Sequence, residues 1–355
     1  MAARAALEFG IRFPPCEGPE ATGAFARQAE RAGFGWIWGV DSPLLAGALF
    51  DPYVDLTVCA MHTERVMLGP AVSPLMLRSP VATAAAILSL QRVSHGRAVL
   101  GLGSGGSALV TLGVAQRPDL TYTGGARERQ DRLRGEVVLL RKLLGGEPVS
   151  LGTRDIQLEA PAPIKMYLAA SGPRMLELAG SLADGVIIHV GVWPPAVRDA
   201  VERVRRGAEK AGRDPDALDY VCSTYTAVSP EGDRKQDIRY VRPEASFFYS
   251  IMPGLVAEAG FDTSVRFPAK MPRPDMTHAY DWDEAMAAAE TYIPDAFVEQ
   301  FCLVGPPDAA IDRIRELMKL GITQLYVRGA TSYRLPIELV KTFGSEIIPR
   351  FRSTD

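Results

Sequence analysis

The chain has 355 residues, of which 47% are hydrophobic and 23% charged, and its formal net charge is −3. This composition is typical of a globular enzyme with a large core, and without a basic excess we expect no nucleic-acid partner. The longest apolar runs are too short to cross a bilayer, and the first residues lack the apolar segment of a signal peptide.

Apolar segments and helical segments alternate along the whole chain. Strands are predicted from their Val, Ile and Leu content and from the Gly or Pro residues that end them. The predicted strands are 7–13, 36–40, 66–72, 98–102, 166–170, 185–190, 220–228 and 324–328. The predicted helices are 19–32, 52–62, 81–93, 126–144, 173–181, 194–211, 307–320 and 335–348, with a possible hairpin in 150–158.

Eight strand–helix units predict an α/β fold of the (β/α)8 barrel type, covering residues 1–355 as one domain. The alternation of strands and helices is interrupted at 230–294, where prolines separate short helical segments. We interpret this stretch as an insertion or lid after strand seven. A doubly wound open sheet is the alternative. Its nucleotide-binding glycines would follow the first strand, whereas the glycine-rich loop here follows the fourth.

Two segments at strand ends have the residues of anion-binding loops. The first is the glycine-rich loop of Gly103, Ser104, Gly105, Gly106 and Ser107, where backbone N–H groups can approach a phosphate closely. The second is Ala170–Ser171–Gly172–Pro173, which leaves strand five and enters a helix whose first N–H groups suit an anion. Each segment alone fits an ordinary turn or helix cap. Because active sites of barrels lie at the carboxyl ends of the strands, we expect both at one mouth.

Several motifs in a fixed order resemble the luciferase-like superfamily, in particular its deazaflavin-dependent methylenetetrahydromethanopterin reductase branch. The resemblance covers roughly 1–228 and 295–330 and is weak in 230–294. The motifs that carry it are Gly33–Phe34–Gly35–Trp36–Ile37–Trp38–Gly39–Val40–Asp41, Leu68–Gly69–Pro70–Ala71–Val72–Ser73–Pro74, Ser94–His95–Gly96–Arg97, Ala169–Ala170–Ser171–Gly172–Pro173–Arg174–Met175 and Ala183–Asp184–Gly185–Val186.

The resemblance implies an enzyme, usually dimeric, that binds coenzyme F420 or a flavin across the barrel mouth. It implies a bulge with a non-prolyl cis peptide near Ala71, Val72 and Ser73, with Val72 behind the cofactor ring. It also implies contacts of the glycine-rich loop, Ser171 and Gly172 with the cofactor tail. Asp41 would lie near the polar edge of the cofactor.

Two positions depart from the reductase pattern. Arg12 stands where the reductase has a carboxylate in strand one, and Gly106 stands where it has an acidic residue in the glycine-rich loop. We therefore expect the chain to keep the residues that bind the cofactor and to act on a substrate other than that pterin. Arg12 is a candidate cation for a developing negative charge, or else forms an ion pair with Glu8 or Asp41. His189 is a candidate proton donor, or else a hydrogen-bonded structural histidine.

Three functions remain open from the sequence. The first is an F420-dependent oxidoreductase that moves a hydride to or from a polarised C=C, C=N or C=O bond of a small organic substrate. The second is an FMN-dependent monooxygenase, and the third is a barrel that binds a ligand without catalysis. The four cysteines show no CxxC spacing and the four histidines show no zinc pattern, so we expect no metal site and expect free thiols in the cytoplasm. The homodimer is an expectation from the resemblance.

Overall fold

The computed structural model describes residues 7–42, 49–75, 77–104, 126–158, 161–230, 233–264, 272, 276–330 and 333–352. Its centre is a sheet of parallel strands that closes almost completely into a barrel, which confirms the predicted (β/α)8 class. The strands are β1 (Glu8–Phe13), β2 (Trp36–Gly39), β3 (Met67–Pro70), β4 (Ser73–Pro74), β5 (Leu100–Gly103), β8 (Met166–Ala170), β9 (Gly185–Ile188), β10 (Asp219–Ala227) and β12 (Gln324–Arg328).

The order of pairing shows how the barrel closes. The strands follow each other as β3, β2, β1, β12, β10, β9, β8, β5 and β4. The two ends of this path meet, because β3 and β4 are separated only by Ala71 and Val72, and a parallel bridge joins Leu68 to Ala98 just before β5. In the described part of the chain three short strands lie outside this ring: β11 (Leu303–Val304) pairs with β10, and β6 (Val149–Leu151) and β7 (Arg154–Ile156) form the predicted hairpin.

Helices cover the outside of the barrel. They are α1 (Pro19–Ala32), α2 (Pro52–Met61), α3 (Pro80–Val93), α4 (Ala126–Leu144), α5 (Pro173–Leu182), α6 (Pro194–Lys210), α11 (Pro307–Lys319) and α12 (Ile337–Thr342). Many begin with proline in the first turn, where the missing N–H has no helical partner to lose. The main hydrophobic core lies between these helices and the strands.

Between β10 and β11 the described residues form four further helices. They are α7 (Arg234–Ile251), α8 (Pro253–Glu258), α9 (Trp282–Glu290) and α10 (Asp295–Phe301). Their apolar side chains, such as Phe248, Phe297 and Phe301, form a second core that also includes Tyr225 of β10. The first three of these helices lie within the predicted insertion, 230–294, and the second core packs on the carboxyl end of β10.

The lower part of the barrel interior is filled by large side chains. Trp38, Tyr167 and Tyr326 belong to one buried cluster, and the rings of Trp38 and Tyr167 meet edge to face with centroids 5.4 Å apart. Such pairs add stability beyond the area that they bury. These side chains fill part of the barrel interior, so a ligand site is expected at the carboxyl ends of the strands. No described helix is long and apolar enough to cross a membrane.

Glycines allow α5 and α6 to touch through their backbones. A Cβ atom on Gly207 would overlap the carbonyl oxygen of Glu177, whereas one on the exposed Gly135 of α4 would have no heavy atom within 4 Å. We expect Gly207→Ala to destabilise the fold by about 1–3 kcal/mol, because the helices must separate. Gly135→Ala should stabilise it by up to about 1 kcal/mol through helix propensity. Urea unfolding measures both, and shifts of the same sign would contradict this packing.

Candidate active site

The alternation of side chains along the strands decides which residues reach the barrel interior. In β1, Phe9 and Ile11 pack toward the helices, so Arg12 faces inward at the carboxyl end of the strand. In β12, Tyr326 belongs to the interior cluster, and Arg328 lies two residues further on the same face. Each arginine therefore sits in the top layer of the barrel.

Two guanidinium groups lie side by side at the mouth. The register pairs Ile11 with Val327, which makes Arg12 and Arg328 neighbours on adjacent strands. Arg12 is only 3% exposed, and its Nη1 lies 3.6 Å from Oε1 of Glu244, a 1% exposed carboxylate on α7. Burial and then the charge of Arg328 lower the pKa of Arg12, while Glu244 raises it. The insertion thus supplies a negative charge to the barrel interior.

His189 follows β9 and faces the same space. Its Nδ1 lies 3.2 Å from Oγ of Ser223, and its Nε2 lies 3.2 Å from the hydroxyl of Tyr225. Nη1 of Arg328 is nearly equidistant from the two ring nitrogens, at 3.4 and 3.3 Å, so it is not directed at the lone pair of either one. Arg328 also lies over the ring of Tyr225, 4.4 Å from its centroid.

The electrostatics make His189 a neutral imidazole. Burial, followed by the charges of Arg328 and Arg12, holds the pKa of His189 well below its usual value. A neutral ring has one N–H to donate, so any proton that His189 supplies must come from this form and not from an imidazolium. The hydrogen-bonded histidine expected from the sequence is present, and its role as a proton donor stays a hypothesis.

Arg12 forms an ion pair, which was one of the two roles predicted for it from the sequence. The carboxylate that the structure places beside it is Glu244, whereas Asp41 pairs with Arg78. The expected partners were Glu8 and Asp41, so the partner was predicted wrongly. The reason is physical: Glu244 is about 230 residues away in sequence and reaches Arg12 only because α7 folds back over the mouth.

The opposite side of the mouth is formed by the bulge between β3 and β4. The peptide between Ala71 and Val72 is cis, as the resemblance implied, and both side chains are half-buried. Val72 lies over Gly103 at the end of β5, where a Cβ atom would come within 2.5 Å of Cγ2 of Val72. The glycine therefore sets how far Val72 can sink toward the strand.

A polar network holds this bulge from behind. Oγ of Ser73 donates to Oδ2 of the buried Asp41 at 2.6 Å, and the hydroxyl of Tyr53 lies 2.8 Å from Ser73 Oγ. Arg78 bridges Asp41, at 3.5 Å, and Asp51, at 2.6 Å. Burial raises the pKa of Asp41, while Ser73 and Arg78 oppose the rise. In this structure Asp41 anchors the bulge, and its expected contact with a cofactor remains a prediction.

The two predicted anion-binding segments are only partly described. Ser104 is exposed at the end of β5, while Gly105, Gly106 and Ser107 lie outside the described residues. Ala170 is buried at the end of β8, Ser171 and Gly172 are half-buried, and Pro173 is exposed as the first residue of α5. Gly172 is the N-cap and offers no side-chain hydrogen bond, so the first N–H groups of α5 are not capped in this way.

Two residues of the mouth were not selected from the sequence. Arg328 has a usable signal, because it ends the inward-facing series Gln324, Tyr326 and Arg328 of a predicted strand. Glu244 has a weaker one. It lies at helical spacing from the buried Val241 and Phe248, and a carboxylate on an apolar helix face indicates an ionic partner elsewhere.

Residues 7–324 match the sequence model of the luciferase-like monooxygenases. A barrel of this topology, with its bulge after β3 and its helical insertion after β10, fits that class, and the chain belongs to this family. The chain is 31% identical over 344 residues to the 5,10-methylenetetrahydromethanopterin reductase of Methanolobus tindarius, covering 96% of this chain and 100% of that protein.

Two further similarities concern proteins named for coenzyme F420. The chain is 32% identical over 233 residues to the F420-dependent hydroxymycolic acid dehydrogenase of Mycobacterium tuberculosis, covering 61% of this chain and 60% of that protein. The solved structure of the coenzyme F420-dependent tetrahydromethanopterin reductase of Methanopyrus kandleri superposes with a TM-score of 0.79 and 27% identity. That match covers 98% of this chain and 100% of the other.

The neutral state of His189 predicts an acid-side loss of stability. Its pKa is lowered in the folded state, so below about pH 6.5 the unfolded chain binds a proton that the folded chain does not. This contribution is complete above pH 6.5, and stability falls by up to about 1.4 kcal/mol per pH unit as the pH decreases. Urea unfolding between pH 5 and 7 should show a shallower slope for His189→Asn than for the wild type. Equal slopes in the two proteins would contradict a neutral His189.

Proposed function

We propose that this chain is an oxidoreductase that uses coenzyme F420 to move a hydride to or from a small organic substrate with a polarised C=C, C=N or C=O bond. The observation that carries the proposal is the packing of Val72 against Gly103, because it leaves a half-buried apolar surface at the mouth. The full-length relative and the superposed structure support the choice of cofactor, because the latter is named as coenzyme F420-dependent.

The residues at the mouth fit a deazaflavin. A planar ring needs a firm apolar support, and the half-buried Ala71, Val72 and Ala169 provide one beside Gly103. A phosphate-bearing tail needs N–H and hydroxyl donors, which Ser104, Ser171 and the start of α5 can provide. When bound, the deazaflavin supplies or accepts the hydride.

The chain's own groups then hold the substrate and manage its charge. Asp41 accepts a hydrogen bond from Ser73 and so fixes the bulge that contains Val72. The apolar surface behind the cofactor ring is therefore rigid. On the other side of the mouth, Arg12 and Arg328 favour negative charge on the substrate, and the N–H of a neutral His189 can donate a hydrogen bond. Glu244 and Phe247 of the insertion contact these groups, the first at Arg12 and the second at the ring of His189.

Binding of the two candidate cofactors tests the proposal. We expect F420 fluorescence to change on titration with the purified protein, with saturation in the micromolar range or below. FMN should bind at least about tenfold more weakly, a difference of about 1.4 kcal/mol. Tight FMN binding without F420 binding would favour the monooxygenase alternative. If neither cofactor binds, the barrel that binds a ligand without catalysis is favoured.

The same titration tests the role of Val72. Gly103→Ala should weaken F420 binding, because the new Cβ pushes Val72 into the space of the ring. The double variant Gly103→Ala with Val72→Ala should recover much of the affinity, because the smaller side chain restores the space. If Gly103→Ala binds F420 as the wild type does, Val72 does not lie behind the ring.

Two apolar helices on the surface favour a homodimer. In α2 and α3 the charged residues are Asp55 and Arg92, although a solvent-facing helix normally has a polar face. Phe50, Val54 and Met61 are 58%, 65% and 72% exposed. A second copy of the chain would cover them by an isologous contact. The four cysteines are free, which fits the cytoplasm as the place of this dimer.

Charge at this face should prevent assembly. We expect the double variant Val54→Glu and Met61→Glu to elute as a monomer in size-exclusion chromatography with light scattering, because two buried carboxylates per copy would face each other. The control Val138→Glu changes a 42% exposed valine of α4 and should leave the dimer intact. A monomeric wild type at micromolar concentration would contradict the dimer.

A further inference from the structure

The guanidinium group of Arg328 depends on a carboxylate that also pairs with Arg12. Arg12 and Arg328 each bear a full positive charge, and His189 is neutral. Glu244 is the carboxylate with the largest effect on the pKa of both arginines. Among the described residues no carboxylate lies within ion-pair distance of Arg328, so this half-buried guanidinium shares Glu244 with Arg12, which is costly unless an anion accompanies it.

The geometry shows which arginine a ligand can reach. Arg12 is 3% exposed and lies against Glu244, whereas Arg328 is half-buried like its neighbours His189 and Phe247. These three side chains sit deep in the mouth and still keep exposed surface, so they line its open space. The Nε–H of Arg328 is buried and has no hydrogen-bond partner among the described residues, which leaves the donor set of this guanidinium incomplete.

We propose that Arg328, with Arg12 behind it, binds an anionic group of the substrate, a carboxylate or a phosphate. A guanidinium presents paired N–H donors that match the oxygens of both groups. This proposal rests on the proposed function, because it assigns the anion to the substrate of the F420-dependent reaction. It also gives a reason for the arginine in β1, which together with Arg328 adapts the mouth to a charged ligand.

The position of the arginines favours the substrate over the cofactor as the source of the anion. Val72 lies at the junction of β3 and β4, and β12 is the third strand round the barrel from β3. The donors proposed for the cofactor tail, at the ends of β5 and β8, lie on the other side of Val72 in the strand order. Arg328 instead lies beside His189, whose ring packs on Phe247 of the insertion, and Glu244 of the same helix raises the pKa of Arg328. The insertion is the part of the chain where the resemblance to the reductases is weak.

Anion binding tests the proposal with defined probes. Succinate and inorganic phosphate, with neutral succinamide as a control, are titrated by calorimetry into the protein with and without saturating F420. We expect one of the two anions to bind in both states, and its identity distinguishes carboxylate from phosphate. Succinamide should not bind. An anion site that disappears when F420 is bound would belong to the cofactor tail and would overturn the proposal.

Substitutions of opposite sign separate binding from folding. Arg328→Met should weaken anion binding about tenfold or more, and Arg328→Lys should weaken it less because the charge remains. Glu244→Gln should tighten it, because it removes the competing negative charge while keeping the shape. Arg198→Met, on the exposed face of α6, is the matched control and should bind as the wild type does.

The outcomes also separate this proposal from the proposed function. Equal anion affinity in Arg328→Met and Arg198→Met, or weaker binding in Glu244→Gln, would overturn the anion site even if F420 binds normally. Failure of F420 to bind would overturn the cofactor, and the titration without F420 would still report on Arg328. Thermal unfolding midpoints show whether each variant has folded. If Arg328→Met does not fold, the anion affinities of Arg328→Lys and Glu244→Gln are compared with that of the wild type instead.

Discussion

In a closed barrel every second side chain of each strand must point inward, and this constraint governs the site. Inward positions hold Trp38, Tyr167 and Tyr326, which fill part of the interior. The same alternation places Arg12 and Arg328 at inward positions near the carboxyl ends of β1 and β12. The buried ion pair, the neutral imidazole and the open mouth all follow from which residue type occupies the top inward position of each strand.

The mouth divides into two halves with different origins. Val72, Gly103 and the start of α5 belong to the barrel and its first connections, where the family motifs are clear. The other half combines inward residues of β9, β10, β12 and β1 with Glu244 and Phe247 of the insertion. A change of substrate can therefore arise in α7 and the facing strand ends, while the support of the cofactor stays the same.

Much of the fold followed from the sequence because its signals are local. Apolar runs ended by glycine or proline predicted the eight barrel strands, and the comparison with the reductase pattern selected Arg12 in the first of them. The pairing of Arg12 with Glu244 was not predictable in this way, because it depends on how α7 crosses the mouth. The two-residue strand β11 was also missed, since Leu303 and Val304 are too short a run to show a period. The contacts of the glycine-rich loop beyond Ser104 remain predictions.

Helix α2 belongs to two surfaces at once. Tyr53, in its first turn, reaches inward to Ser73 behind the bulge, while the next residue, Val54, points outward from the barrel. A rigid helix cannot move one of these side chains without the other. Any force that a second molecule exerts on the outer face of α2 is therefore transmitted through one hydroxyl pair to the residue beside Val72, so the stiffness of this support depends on what lies against the outside of the barrel.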